Sequence, residues 1–71
     1  MIIKSQIVLY IYDELLSNRG IKTIDIVNKY GISIRTFRRY ISEINSFFFN
    51  NYRNQIVEYD TLRKEYYLKN F

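Results

Sequence analysis

The stretch of sequence that decides the fold is residues 21–44, IKTIDIVNKYGISIRTFRRYISEI. Its first half predicts a short helix over about residues 24–30, because three apolar residues lie three positions apart. These residues are Ile24, Val27 and Tyr30. Thr23 is placed to cap the start of this helix, and Gly31 can adopt the left-handed conformation that ends it. We therefore expect a short helix followed by a tight turn.

The second half of the stretch predicts a longer helix over about residues 34–49, with Ser33 placed to accept hydrogen bonds from its first free amides. One face is apolar at steps of four, three and four residues: Phe37, Ile41, Ile44 and Phe48. The opposite face is polar, with two further polar residues on its flanks: Arg35, Arg39, Ser42 and Ser46, flanked by Thr36 and Arg38. This helix should bury one side and expose a basic side.

The flanking segments complete the predicted fold. Helical spacing of apolar residues before Gly20 predicts a first helix over about residues 4–18: Ile3, Ile7, Ile11 and Leu15. After residue 50 the pattern changes to alternation, which predicts a hairpin over about residues 55–69 with its turn between Asp60 and Lys64. An isolated hairpin is marginal in water, so it should pack on the helices. The expected fold class is mainly α with a small β-hairpin, in the order of a three-helix winged helix-turn-helix.

Composition restricts the possible functions. The 71 residues are 48% hydrophobic, enough for one core in a single domain over residues 1–71. The chain has neither cysteine nor histidine, so the commonest metal ligands and the commonest general base are missing. We expect no enzyme, no catalytic or metal-binding residues and no cofactor. The longest apolar run, residues 7–12, is too short to cross a bilayer, and a cytoplasmic protein without membrane contact is expected.

The positive charge is concentrated in the middle of the chain. The net charge is +4, which favours a polyanionic partner but also suits an ordinary soluble protein. Between residues 20 and 45, five basic residues face two acidic ones: Lys22, Lys29, Arg35, Arg38 and Arg39 against Asp25 and Glu43. Basic residues on an exposed helix often only contact solvent, but their place after a turn and a cap favours contact with DNA.

The same segment resembles a known family. Val27, Gly31, Ser33 and the run from Thr36 to Arg39 match, in order, the N-terminal winged helix-turn-helix of the bacterial DeoR, Mga and WYL-type regulators. The wing also fits, with an apolar strand, a basic turn and an aromatic-rich last strand. Tyr40 stands where these regulators usually carry an acidic residue. The resemblance implies a DNA-binding transcriptional regulator of a bacterium or mobile element, and no small-molecule effector is expected.

Helix geometry assigns roles to the polar residues. An arginine near the start of a helix in the major groove can bind guanine with two hydrogen bonds, and Arg35 and Arg39 are the expected base-reading residues. We expect contacts to the DNA backbone from six others: Lys22, Thr23, Ser33, Thr36, Arg38 and Ser42. Arg63 and Lys64 at the wing turn are expected to reach the minor groove or its phosphates, although basic turn residues also protect an edge strand from aggregation.

Three consecutive phenylalanines, Phe47 to Phe49, point in different directions on a helix, so one core face cannot bury all of them. In one interpretation the wing strands and Tyr52 enclose the remainder. In the other, Phe47 and Phe49 form a homodimer interface with the first helix, whose residues 8–12 also exceed what one apolar face needs.

Two function classes therefore stay open. The first is sequence-specific binding of double-stranded DNA. The alternative is a protein-interaction module of the same fold, which binds another regulator through the first helix and the Phe47–Phe49 cluster. The two differ in salt dependence, because contacts to phosphates weaken with salt and apolar contacts do not.

Overall fold

The computed structural model describes residues 3–71 and has three helices followed by a two-stranded antiparallel sheet. The elements are α1 (Lys4–Leu16), α2 (Thr23–Tyr30), α3 (Ile34–Asn50), β1 (Gln55–Asp60) and β2 (Glu65–Asn70). This winged-helix-like arrangement confirms the predicted fold class. Helix α1 ends two residues earlier than predicted, because Asn18 adopts a positive φ of 60° and turns the chain towards α2.

Three residues were predicted to begin or end α2 and α3, and the structure confirms two of them. Gly31 ends α2 in the left-handed conformation, with φ of 65°, and Ser33 caps α3. The predicted capping role of Thr23 is wrong. The chain stays extended through Lys22, which is the N-cap residue, so that Thr23 is already the first helical residue of α2. The start of α2 has no side-chain cap.

The core lies between the three helices and the inner face of the hairpin. Its largest fully buried side chains come from α1 and α3: Ile11, Leu15, Phe37 and Phe48. All four predicted apolar residues of α3 are buried, and Tyr40 joins them as a fifth, which the sequence pattern did not include. Burial of each such side chain contributes about 1.5 to 3 kcal/mol, so α3 is held chiefly by this one face.

The hairpin is attached to the helices along both of its edges. On β1, the Val57 amide donates to Oδ1 of Asn45 at 2.8 Å, and Nδ2 of Asn45 donates to the Val57 carbonyl at 3.3 Å. On β2, Ile21 and Tyr66 exchange two backbone hydrogen bonds of 2.9 and 2.8 Å. The outward backbone groups of Val57 and Tyr66 are thus paired, as buried backbone groups require.

These contacts also fix the direction of the wing. Asn45, in the second half of α3, binds Val57 near the start of β1, whereas Phe37, in the first half, packs against the ring of Tyr66 with centroids 5.4 Å apart. Tyr66 pairs with Tyr59 near the end of β1. Strand β1 therefore runs antiparallel to α3, and the hairpin turn projects towards the N-terminal end of α3.

The Phe47–Phe49 run is only partly enclosed. Phe48 is buried, but Phe47 is 46% exposed and Phe49 is 82% exposed. The expectation that the wing and Tyr52 cover these rings is wrong, since Tyr52 is itself 94% exposed. Tyr52 has a positive φ of 54° just after α3, and its side chain extends into solvent.

Replacement of Asn45 by Ala should lower the free energy of unfolding by about 2 kcal/mol, because the Val57 amide and carbonyl both lose their partner. Urea denaturation followed by circular dichroism measures this change. Asn50→Ala, at an exposed residue of the same helix, is the matched control and should change stability little. Equal losses in the two variants would contradict the proposed attachment of the wing.

Candidate nucleic-acid interface

The N-terminal turn of α3 is held by two hydrogen bonds between Ser33 and Thr36. Ser33 Oγ accepts a hydrogen bond from the Thr36 amide at 3.0 Å and donates one to Thr36 Oγ1, also at 3.0 Å. The two side chains thus hold the first turn of α3 together. Both of these predicted contacts to the DNA backbone therefore lie at the start of α3.

The three arginines of α3 are exposed. Within residues 3–71, Arg35, Arg38 and Arg39 form no ion pair, whereas Lys4, Arg19 and Lys69 are each paired with a glutamate. Their guanidinium groups also make no hydrogen bond to another described residue. A guanidinium carries five N–H donors and a permanent charge, so this face presents three cations to solvent or to an external anion.

The arginines occupy two adjoining parts of the helix surface. Arg35, Arg39 and Ser42 lie opposite the buried face, as predicted. Arg38 is seven residues before Asn45 and therefore lies on the same side of the helix, the side that contacts β1. This places Arg38 on the flank of α3 that is nearer to the wing.

The wing turn is ordered by a side-chain cap. Oδ1 of Asp60 accepts hydrogen bonds from the amides of Leu62 and Arg63 at 2.9 and 3.2 Å. Lys64 then adopts a positive φ of 57°, which closes the turn onto β2. Arg63 and Lys64 are both exposed and lie at the end of the hairpin that projects towards the start of α3. The predicted wing cations thus lie at the tip of the hairpin, where Arg63 lines a shallow hollow with Asn18 and Gly20 of the α1–α2 connection.

At the start of α2, the two predicted contact residues differ in exposure. Lys22 is exposed at its N-cap, and Thr23 is half-buried behind it. Lys29, at the other end, lies 4.0 Å above the ring of Tyr10 on α1. The contact with Tyr10 raises the pKa of Lys29 above its ordinary value. Lys29 is therefore engaged with α1.

Acidic residues beside the basic surface have partners of their own. Glu43 on α3 lies 2.9 Å from Nζ of Lys4. On the wing, Oε1 of Glu58 accepts a hydrogen bond from the Tyr67 hydroxyl at 3.1 Å, which raises the pKa of Tyr67. Glu58 also lies 3.8 Å from Nζ of Lys69. Both carboxylates are thus engaged with groups other than the arginines of α3.

Residues 3–71 contain no group of three or more acidic, histidine or cysteine residues that could hold a metal ion. In the same part of the chain, no helix has the length and hydropathy needed to cross a bilayer. Comparison with protein-family models, curated proteins and solved structures yields no match.

Replacement of Ser33 by Ala should lower the free energy of unfolding by about 1 kcal/mol, because the Thr36 amide loses its cap. Ser33→Asp provides the control, since a carboxylate also caps and should keep most of the stability. Thermal denaturation measures both variants. If Ser33→Asp proves as unstable as Ser33→Ala, capping is not the role of this residue.

Proposed function

We propose that this protein binds double-stranded DNA sequence-specifically, as a small transcriptional regulator, with α3 in the major groove. The observation that carries the proposal is the set of three exposed arginines in the N-terminal half of a capped helix, none of which is paired with another residue between 3 and 71. The opposite face of that helix is anchored in the core. A helix held in this way fits the major groove, and its first residues are the ones that approach base edges.

In this proposal the residues divide by their position on the surface. Arg35 and Arg39 project from the outer face of α3 and read bases. Arg38, Thr36 and Ser42 lie beside them and contact phosphates of the flanking backbone. Lys22, with the free amides at the start of α2, contacts phosphates from the neighbouring helix.

The wing completes the proposed interface. Arg63 and Lys64 lie on an ordered turn at the exposed tip of the hairpin, from which they would contact the adjacent minor groove or its phosphates. This use of a helix and a hairpin is the one that the resemblance to DeoR, Mga and WYL-type regulators implies. We therefore also propose that the chain is a regulator domain of that kind.

Arg35→Ala should cost about 1 to 3 kcal/mol of binding free energy at one base position and relax the preference there. Binding is measured on duplexes selected from a random pool and on their single-base variants. Arg19→Ala removes the same charge from a residue bound to Glu14 at 3.0 Å and should leave discrimination unchanged. Unaltered base preference in Arg35→Ala would exclude this residue from base reading.

Lys64→Asn should weaken binding to all sequences alike and reduce the slope of log affinity against log salt by about 1, because one phosphate contact is lost. Asparagine is chosen because it tolerates the positive φ of this position. The control is Lys69→Asn, at a residue paired with Glu58 on the far part of β2. An unchanged salt slope in Lys64→Asn would remove the wing turn from the interface.

A further inference from the structure

An apolar groove runs between α1 and the C-terminal half of α3. It is lined by Val8, Leu9, Tyr12, Glu43, Ile44 and Phe47, with a volume of about 250 Å³. A second hollow of about 360 Å³ adjoins it and extends past Lys4 and Ser5. Leu9 is 62% exposed on one wall, and the exposed ring of Phe47 packs edge-on against Tyr12 at 6.1 Å on the other. Such a contiguous apolar surface marks a site of association.

Only one of the two exposed phenylalanines that the sequence analysis assigned to a dimer interface lines the groove. Phe47 lines it, whereas Phe49 is two positions further along α3 and so is rotated by about 200° around the helix axis. Phe49 lies on the side of Ser42 and Ser46, away from α1. The apolar surface therefore consists of α1 and Phe47, without Phe49.

We propose that a second copy of this chain occupies the groove, in a two-fold homodimer. The charges at its rim are complementary to themselves: Lys4 and Glu43 lie 2.9 Å apart there, and both side chains are about half exposed, at 55% and 44%. A two-fold axis that passes between these two side chains places Lys4 of one copy opposite Glu43 of the other, so that each pair within a chain gains a second pair across the interface.

The groove lies at the opposite end of α3 from the wing turn. A dimer formed there leaves Arg35 and the wing turn exposed for DNA, a part of the inference that rests on the proposed function.

Sedimentation equilibrium without DNA, at about 0.5 M salt and from about 1 to 200 μM protein, tests the dimer. The average mass should rise from that of the monomer towards twice that value. Leu9→Glu should raise the dissociation constant at least about tenfold. Ile24→Glu is the matched control, because Ile24 on α2 is 61% exposed and lies outside the groove, and it should leave the mass curve unchanged.

Three results would overturn the inference: a wild-type protein that stays monomeric throughout, growth beyond the dimer, or equal effects of Leu9→Glu and Ile24→Glu. Far-UV circular dichroism confirms that both variants are folded. Because the measurement contains no DNA, a dimer that binds no DNA would refute only the proposed function. Conversely, a monomer that reads DNA through Arg35 would refute only the dimer.

A charge exchange tests the contact across the axis. The double variant Lys4→Glu/Glu43→Lys should form its own dimer, but a mixed dimer with the wild-type chain would bring like charges together at both rims. In an equimolar mixture of the two chains, random pairing would make half of all dimers mixed. Native mass spectrometry should therefore show a fraction of mixed dimers well below one half. Statistical mixing would refute the predicted Lys4–Glu43 contact between copies, and with it this two-fold arrangement.

Discussion

The structure depends on the attachment of both edges of a two-stranded hairpin. Two strands alone are marginal in water, and each strand here has an outward edge with free backbone groups. The side chain of Asn45 satisfies Val57 on one edge, and the backbone of Ile21 satisfies Tyr66 on the other. The two partners come from α3 and from the segment between α1 and α2. The hairpin thereby joins parts of the helical bundle that are distant in sequence, and Tyr66 covers Phe37 in the core.

The same attachments decide the shape of the basic surface. A hairpin held only at its connection to α3 would leave its turn free to take many positions relative to the helix. Two separate attachments, one at Asn45 and one at Ile21, fix both the direction and the tilt of the strands. Arg63 and Lys64 are thus placed relative to Arg35 by backbone and amide hydrogen bonds. A site built on such rigid elements holds its geometry better than one built on loops.

Local signals in the sequence were sufficient to predict the helices and strands and the exposure of the arginines of α3. Gly31 and Ser33 act through the conformation and hydrogen bonds of their immediate neighbours, and the period of α3 fixes which residues face inward. The failures concern longer-range effects. Thr23 does not cap α2, because pairing of Ile21 with Tyr66 keeps the chain extended through Lys22. Asn45 could not be singled out, since its partner is a backbone group twelve residues away.

Helix α3 combines two surfaces with opposite requirements. Its N-terminal half exposes arginines, which repel one another only weakly in water, at about 1 kcal/mol or less per pair, and less in salt. Its C-terminal half exposes the edge of Phe47 beside α1, where the free energy comes from burial of apolar area and is insensitive to salt. Because one continuous helix of 17 residues carries both, their separation is set by helix geometry. A partner bound at the apolar C-terminal half leaves the arginines exposed. Burial of the core face of α3 holds both halves of the helix in a fixed position relative to each other.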